Sequence, residues 1–129
     1  MIVSLHVATG AALGALSGSR VGAVLLGVPA HLLGDRIPHQ DIASRRFEIT
    51  SGAACLVLLA VRRGPLDSAV IGGAAASAPD LEHVFRALRP GGRKLFHGRL
   101  GWHHAGPFPA AAQLVLAGAI VGYLLAPRK

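Results

Sequence analysis

Long uncharged runs, separated by short charged intervals, set the pattern of this chain. Residues 1–19 and 105–127 contain no Asp, Glu, Lys or Arg. Apolar residues in these runs are mostly Ala and Leu and do not alternate with a period of two, which favours helices over strands. The pattern predicts an all-α protein with about five helices, near residues 2–17, 21–36, 47–62, 66–88 and 108–126.

Glycine and proline mark the expected ends of these helices. Ser-Gly-Ser at 17–19 and Arg-Arg-Gly-Pro at 62–65 are tight breaks. Pro38 is expected to end the second helix, and Pro-Gly-Gly at 90–92 the fourth. Pro79 is expected to interrupt the fourth helix, which can restart directly after it. With 129 residues, the chain has the length of a single domain, 1–129.

The composition favours a membrane protein over an ordinary soluble globular protein. Apolar residues make up 52% of the chain and charged residues 15%, against about 25% charged in a typical soluble domain. About 20 apolar residues span a bilayer, a length that the run at 105–127 reaches. We therefore expect a small multi-span transmembrane bundle in the cytoplasmic (inner) membrane. The single cysteine, Cys55, excludes an intrachain disulfide and a CxxC metal site.

The charges predict how such a bundle would be oriented. The net charge of +7 favours contact with anionic lipid headgroups, and no recognition motif points to nucleic acid. Five spans would place the loops at 35–46 and 86–107, with Trp102 at the interface, on the more basic, cytoplasmic side. Arg128 and Lys129 would lie opposite. All seven histidines and every acidic residue except Asp67 fall at or near the first side.

Four segments at that side carry residue types that bind metal. They contain His6, then His31-Leu-Leu-Gly-Asp35 with His39, then Pro-Asp-Leu-Glu-His at 79–83, and finally His97 with the pair at 103–104. Histidine and aspartate three or four residues apart share one helix face and can chelate one ion. Imidazole nitrogen with carboxylate oxygen suits zinc, manganese or iron. The predicted ligands of one or two divalent ions are His6, His31, Asp35, Asp80, His83 and His103.

Helix phase supports an inward orientation for these ligands. Steps of four residues lead from His6 to Gly10 and Gly14, and from His31 back to Gly27. Steps back from Asp80 reach Ala76 and Gly72 in the same way. Small residues line the packing faces of membrane helices. The ligands are therefore expected to point into the bundle.

Each candidate ligand also has a simpler explanation. His6 alone could be a buried, hydrogen-bonded histidine, and Asp80 could cap a helix. Asp35 could pair with Arg36 or Arg46. A carboxylate at membrane depth costs about 2.5–3.5 kcal/mol, and one shared cation offsets that cost for several groups. Loop or interfacial positions would account for four further histidines, which are His39, His97, His103 and His104.

The motif set resembles a bacterial family of membrane-bound, metal-dependent hydrolases, the YdjM-like family. The resemblance rests on an N-terminal His before a Gly/Ala helix, HxxxDxxPH, PDxEH and a late His cluster. It implies a His/Asp metal centre in a small multi-span protein, with hydrolytic activity. The HxxxD pair with scattered histidines is more weakly similar to zinc-dependent phospholipases C. The positions that match the family are His6, His31, Asp35, Asp80, His83 and His103 or His104.

The leading interpretation is metal-assisted hydrolysis of a phosphoester or phospholipid by a metal-activated water. Glu82 or His104 would act as general base or acid. The alternative is a non-catalytic membrane protein that binds metal or anionic lipid in a structural or interaction role. A homo-oligomer is compatible with both. Four arginines would attract the substrate phosphate, or would simply set topology: Arg86, Arg89, Arg93 and Arg99.

Overall fold

The described part of the chain forms six α-helices joined by turns and irregular segments. The computed structural model describes residues 1–101 and 103–127, so the expectations for Trp102, Arg128 and Lys129 lie outside the described residues. No strand occurs within those ranges, where isolated bridges join His39 to Ala105 and Phe108. The all-α prediction is confirmed. The helices are α1 (Val3–Ser17), α2 (Arg20–Asp35), α3 (Arg45–Arg63), α4 (Ser68–Ser77), α5 (Leu81–Val84) and α6 (Ala110–Leu125).

Local capping explains where the helices begin. The Ser19 hydroxyl accepts a hydrogen bond of 2.9 Å from the backbone N–H of Gly22 at the start of α2. Asp67 accepts one of 2.8 Å from the N–H of Ala69 at the start of α4. Such caps satisfy backbone donors that the first helical turn leaves free. Gly18, with φ of 64°, ends α1 in the left-handed conformation that favours glycine.

The predicted fourth helix is broken, as expected at Pro79. Helix α4 ends at Ser77, a 3-10 turn covers Ala78–Asp80, and α5 lasts only four residues. Proline lacks the N–H that a continuing helix needs, and its ring crowds the preceding turn. Beyond Val84 the helix predicted to residue 88 gives way to short turns, the last of which is a π-helical turn at Leu95–Arg99.

Helix α1 is the centre of the bundle and contacts α2, α3, α4 and α6. Its approach to α4 is very close, because a Cβ atom on Gly10 would lie 2.4 Å from the Gly72 carbonyl oxygen. A Cβ atom on Gly14 would lie 2.1 Å from the Ser68 oxygen, and one on Gly27 2.7 Å from the Ala75 Cβ. The stripes of small residues are therefore packing faces, as the helix phase predicts.

The prediction of a multi-span transmembrane bundle in the inner membrane is wrong. Among the helices of the described segments, none combines the length and the apolarity needed to cross a bilayer. Helices α1, α2 and α6 have 15, 16 and 16 residues, and the 19-residue α3 includes charged residues at both ends. The run at 105–127 becomes helical only at Ala110, because Pro109 holds an extended backbone at the N-cap.

Candidate metal centre

One carboxylate gathers the histidines at one end of the bundle. Asp35 is the last residue of α2 and is 2% exposed. Its Oδ1 lies 2.9 Å from His6 Nε2 of α1 and also contacts the Met1 amino group. Its Oδ2 lies 3.4 Å from His31 Nε2 and 3.1 Å from His97 Nε2. Segments far apart in sequence therefore converge on Asp35, as predicted.

The tautomers of His31 and His97 can be read from their outer hydrogen bonds. His31 Nδ1 lies 2.7 Å from the Ala76 carbonyl oxygen, which can only accept, so Nδ1 carries the proton. His97 Nδ1 donates in the same way to Glu82 Oε1 at 2.7 Å. In the neutral rings both Nε2 atoms then carry lone pairs, and they face each other at 3.4 Å.

With both rings neutral, three acceptor atoms form a small triangle. Its corners are Asp35 Oδ2 and the Nε2 atoms of His31 and His97, with sides of 3.1, 3.4 and 3.4 Å. Burial opposes a charge on His97, but its hydrogen bonds to Asp35 and Glu82 raise its pKa, so a proton on Nε2 is the alternative to a metal ion here. Tetrahedral zinc with bonds of about 2.0–2.1 Å holds its ligand atoms about 3.3 Å apart. Asp80 Oδ1 lies beside the triangle, 3.4 Å from His97 Nε2 and 3.9 Å from His31 Nε2. The triangle has the spacing of ligands that share one metal ion, and Asp80 contacts both of its nitrogens.

Two buried polar atoms nearby support this fit. Asp80 Oδ2 and His6 Nδ1 are buried and have no hydrogen-bond partner within the described part of the chain. Leaving such atoms unpaired costs about 1–3 kcal/mol each. His6 also stacks on His31, with ring centroids 3.8 Å apart. His6, His31 and Asp80 can place one ligand atom each within 4.8 Å of one another. The residues present thus suit a cation better than they suit one another.

The pKa values of Asp35 and Asp80 shift in opposite directions. Burial opposes ionisation of Asp35, but the contacts of its carboxylate with His31, His6 and His97 outweigh it and hold the pKa of Asp35 well below its usual range. Burial raises the pKa of Asp80, and only partly compensating histidines lie near it. Burial also lowers the pKa of His6 to about 3, so this imidazole is neutral. Neutral imidazole is the form that binds metal.

Glu82 holds His97 in place. The Glu82 carboxylate is 3% exposed and accepts hydrogen bonds from the backbone N–H groups of Leu95, Phe96 and His97, at 2.7, 3.3 and 2.9 Å. A fourth comes from His97 Nδ1. Burial works against the charge, but these donors lower the pKa of Glu82. Carboxylates in this outer position orient metal-binding histidines and make them more basic.

His83 and His103, the other predicted ligands, lie at the edges of the cluster. The His83 ring is 4.2 Å from that of His97, and its Nδ1 is 2.9 Å from Lys94 Nζ. Burial and the neighbouring cations His97 and Lys94 lower the pKa of His83 to about 4. His103 is exposed and its Nε2 lies 3.2 Å from Asp41 Oδ2. His83 can join Asp80 and His97, and His103 can join Asp35 and His39.

A cavity of about 410 Å³ opens beside the cluster. Asp35, Asp80 and His97 line one part of it, and the remaining wall is largely apolar. Glu48 and Arg45, which the sequence analysis did not select, also line it. Burial, together with repulsion from Asp41 and Asp80, raises the pKa of Glu48 to about 7. A carboxyl group with that pKa can exchange protons near neutral pH.

The predicted phosphate-binding arginines and His104 lie elsewhere. Arg89 donates to the carbonyl oxygens of Glu82 and His83, and Arg99 to that of Pro90. Among the described residues, neither the four predicted arginines nor His104 lines the cavity. Arg45 does, and it also contacts the His83 carbonyl oxygen. Arg45 lies at the start of α3, one helical turn before Glu48. This spacing is a signal that can be read from the sequence.

Comparisons with known proteins do not identify a family for this chain. The chain matches no protein-family model, no curated protein and no solved structure. The residues of the site are therefore the basis for its function.

Proposed function

We propose that this protein is a metal-dependent hydrolase of phosphoesters, with an ion held by His31, Asp35, Asp80 and His97. The cluster of Asp35 with the two histidines carries the proposal. With both rings neutral, three buried lone-pair atoms lie at metal-ligand spacing, and a metal ion would take the place of the proton that His97 otherwise shares with Asp35. The mixed nitrogen and oxygen donors favour zinc, with manganese or iron as alternatives. When bound, such an ion supplies Lewis acidity that polarises a phosphoryl oxygen and lowers the pKa of water.

The chain's own groups divide the remaining work. The Ala76 carbonyl and the Glu82 carboxylate orient His31 and His97, so Glu82 serves here as a positioning residue rather than as the base. Glu48 faces the cavity with a pKa suited to proton transfer. Arg45 supplies the cation that a phosphate needs at the cavity wall. These assignments replace the roles expected for Glu82 and His104.

The wall of the cavity favours a substrate with an apolar part. Val3, Val7, Ile42, Ile49 and Leu56 line it opposite the charged groups. A phosphoester with an acyl or alkyl chain would place its phosphate at the metal and its chain along this wall. This substrate class agrees with the resemblance to the YdjM-like hydrolases and to phospholipases C, which stays part of the proposal.

Metal depletion followed by reconstitution tests the function. The full chain is treated with a chelator, desalted and supplied separately with Zn²⁺, Mn²⁺ or Fe²⁺. Hydrolysis of 4-nitrophenyl phosphate, bis-4-nitrophenyl phosphate and a short-chain phospholipid is then measured. We expect activity to vanish on chelation, to return with at least one ion, and to be absent in Asp80→Asn. Activity that persists unchanged after chelation, or in Asp80→Asn, would contradict the proposal.

The burial of His31, which has no exposed surface, favours a second candidate, a non-catalytic metal site. Here the ion would stabilise the fold or an interaction surface. Retention of a tightly bound ion with no hydrolysis of any of the three probes would support this alternative. Loss of every ion would instead make the cluster a proton-linked network of histidines and acids.

A further inference from the structure

A second group of ligand-type side chains lies beside the first and shares Asp35 with it. Asp35, His39 and His103 can each place a ligand atom within 4.8 Å of the others. Asp41 adds two oxygens, with Oδ1 3.3 Å from His39 Nε2 and Oδ2 3.2 Å from His103 Nε2. The rings of His39 and His103 meet edge to face, with centroids 4.8 Å apart. Two imidazoles and two carboxylates therefore surround one small volume.

Backbone hydrogen bonds between two loops hold this group of side chains in place. The N–H of His39 donates to the His104 carbonyl at 3.1 Å, and the N–H of Gly106 donates to the His39 carbonyl at 2.9 Å. Gly106 has to be glycine here, because a Cβ atom would lie 2.1 Å from the Pro38 Cβ. The loop at 36–44 is thereby held against the loop at 103–108, which brings His103 to His39. The arrangement is built by the backbone rather than by chance contact of surface chains.

The His39 ring provides the independent sign of a ligand. Its side chain is completely buried, and its Nδ1 donates to the Ile37 carbonyl at 2.7 Å. The Nε2 atom then carries a lone pair in the neutral ring, and it has no hydrogen-bond partner in the described ranges. It faces the carboxylate of Asp41, which is also an acceptor. A buried acceptor aimed at another acceptor is the same conflict that occurs at His31 and His97.

We propose that His39, Asp41 and His103 bind a second divalent cation next to the first, with Asp35 shared between the two ions. The inference rests on the proposed function, since it presumes that Asp35 is a ligand of the first ion. In two-ion sites about 3.5–4 Å apart, paired cations hold both the attacking and the leaving oxygen of a phosphoester. A shared carboxylate and nitrogen ligands on both sides suit that class of centre.

Metal stoichiometry tests the second site without any measurement of activity. The chelated full chain is reconstituted with excess Zn²⁺ and desalted, and the metal is counted by mass spectrometry. We expect the wild type to retain two ions, and Asp41→Asn and His103→Gln to retain one. Asp41 and His103 are partly exposed, so both variants are expected to fold. Gln40→Ala, an exposed neighbour in the same loop, serves as the matched control and should retain both ions.

The outcomes separate the two proposals. One ion in the wild type, unchanged in Asp41→Asn and His103→Gln but lost in Asp80→Asn, overturns the second site and leaves the proposed function intact. No retained ion in any sample overturns both. Two ions in the wild type and in both loop variants overturns the assignment of the second ion to this group.

Manganese provides a second measurement on the same samples. Two Mn²⁺ ions joined by a carboxylate couple magnetically, so the wild type loaded with Mn²⁺ should give the broadened spectrum of a coupled pair in electron paramagnetic resonance. Asp41→Asn should give the six-line signal of an isolated ion. An uncoupled signal in the fully loaded wild type would contradict a centre that shares Asp35.

Discussion

The two ends of the bundle surround an aspartate carboxylate with different partners. At one end, Asp67 is 25% exposed, pairs with Arg63 Nε at 3.0 Å and caps α4. At the other end, the side chain of Asp35 is 3% exposed, its Oδ2 contacts the imidazole nitrogens of His31 and His97, and its Oδ1 contacts His6 and the Met1 amino group. A guanidinium is a permanent cation, whereas a neutral imidazole offers a lone pair. Under the proposed function, the carboxylate at the Asp67 end pairs with a fixed cation of the chain, and the carboxylate at the Asp35 end also binds a metal ion.

The largest expected effect comes from neutralising each aspartate in turn. Asp35→Asn should remove retained metal and lower phosphoesterase activity at least about 100-fold, since the loss of a ligand exceeds the loss of an outer-shell partner. Asp67→Asn should retain all metal and cost less than about 1 kcal/mol of unfolding free energy, because Asn also caps helices and an exposed ion pair contributes little. Metal analysis and chemical denaturation measure the two effects. Equal metal loss in both variants would contradict the predicted difference between the two ends.

The contact of α1 with α4 joins the two ends, and a single methyl group should disrupt it. Gly10→Ala places a Cβ atom 2.3 Å from the Ala76 Cβ and 2.4 Å from the Gly72 oxygen. We expect a loss of about 3 kcal/mol in unfolding free energy, at the upper end for overpacking. Gly118→Ala in α6 meets no atom within 4 Å and should gain up to about 1 kcal/mol from helix propensity. Urea denaturation compares them, and equal stabilities would contradict the close approach.

Removing the outer carboxylate should weaken the metal end without touching its ligands. Glu82→Gln is expected to lower metal affinity about 10–100-fold, because His97 loses the anion that fixes its Nδ1–H tautomer. Isothermal titration with Zn²⁺ measures the affinity, and ¹⁵N NMR of the imidazole reports the tautomer, which a purely structural change would leave alone. Wild-type affinity together with an unchanged His97 tautomer would show that Glu82 does not position this ligand.

The smallest effect concerns Glu48 and depends on pH. Its folded pKa of about 7 lies above the ordinary glutamate value of 4.5, so the folded state binds more protons between these values and stability falls as pH rises. Glu48→Gln removes this penalty. In metal-free protein the variant should melt at a higher temperature than wild type at pH 8, with no gain at pH 4. A gain that is the same at both pH values would contradict the raised pKa.

Local signals in the sequence predicted most of the helices. Glycine and proline at 17–19, 62–65 and Pro79 mark breaks that depend on neighbouring backbone only, and the structure places breaks there. The convergence of His6, His31, Asp35 and Asp80 also follows from the order of the helices. These features need no knowledge of which distant surfaces touch.

Other features depended on tertiary contacts and were missed or misread. The uncharged, Ala- and Gly-rich runs predict membrane spans whose small residues pack helix against helix. The packing is present, as in the contact of Gly10 with Gly72, but none of the described helices has the length and apolarity of a span. His97 and His39 lie outside the predicted ligand set, because a loop position accounts for each of them from the sequence alone. In the structure His97 lies in the irregular segment Leu95–Arg99, and its contacts with Glu82 and Asp35 bring it into the cluster.

Gln113 joins three backbone segments although it lies on a helix that supplies no ligand. Its Oε1 accepts from the N–H of Ile2 at 3.0 Å, and its Nε2 donates to the carbonyls of Gln40 and Phe108 at 2.8 and 3.2 Å. One acceptor and two donors on a planar group of this reach exist only in a glutamine amide. Glutamate would place an oxygen atom next to both carbonyl oxygens, and leucine would leave all three backbone groups without their hydrogen-bond partner. A position remote from the chemistry is thereby restricted to a single amino acid.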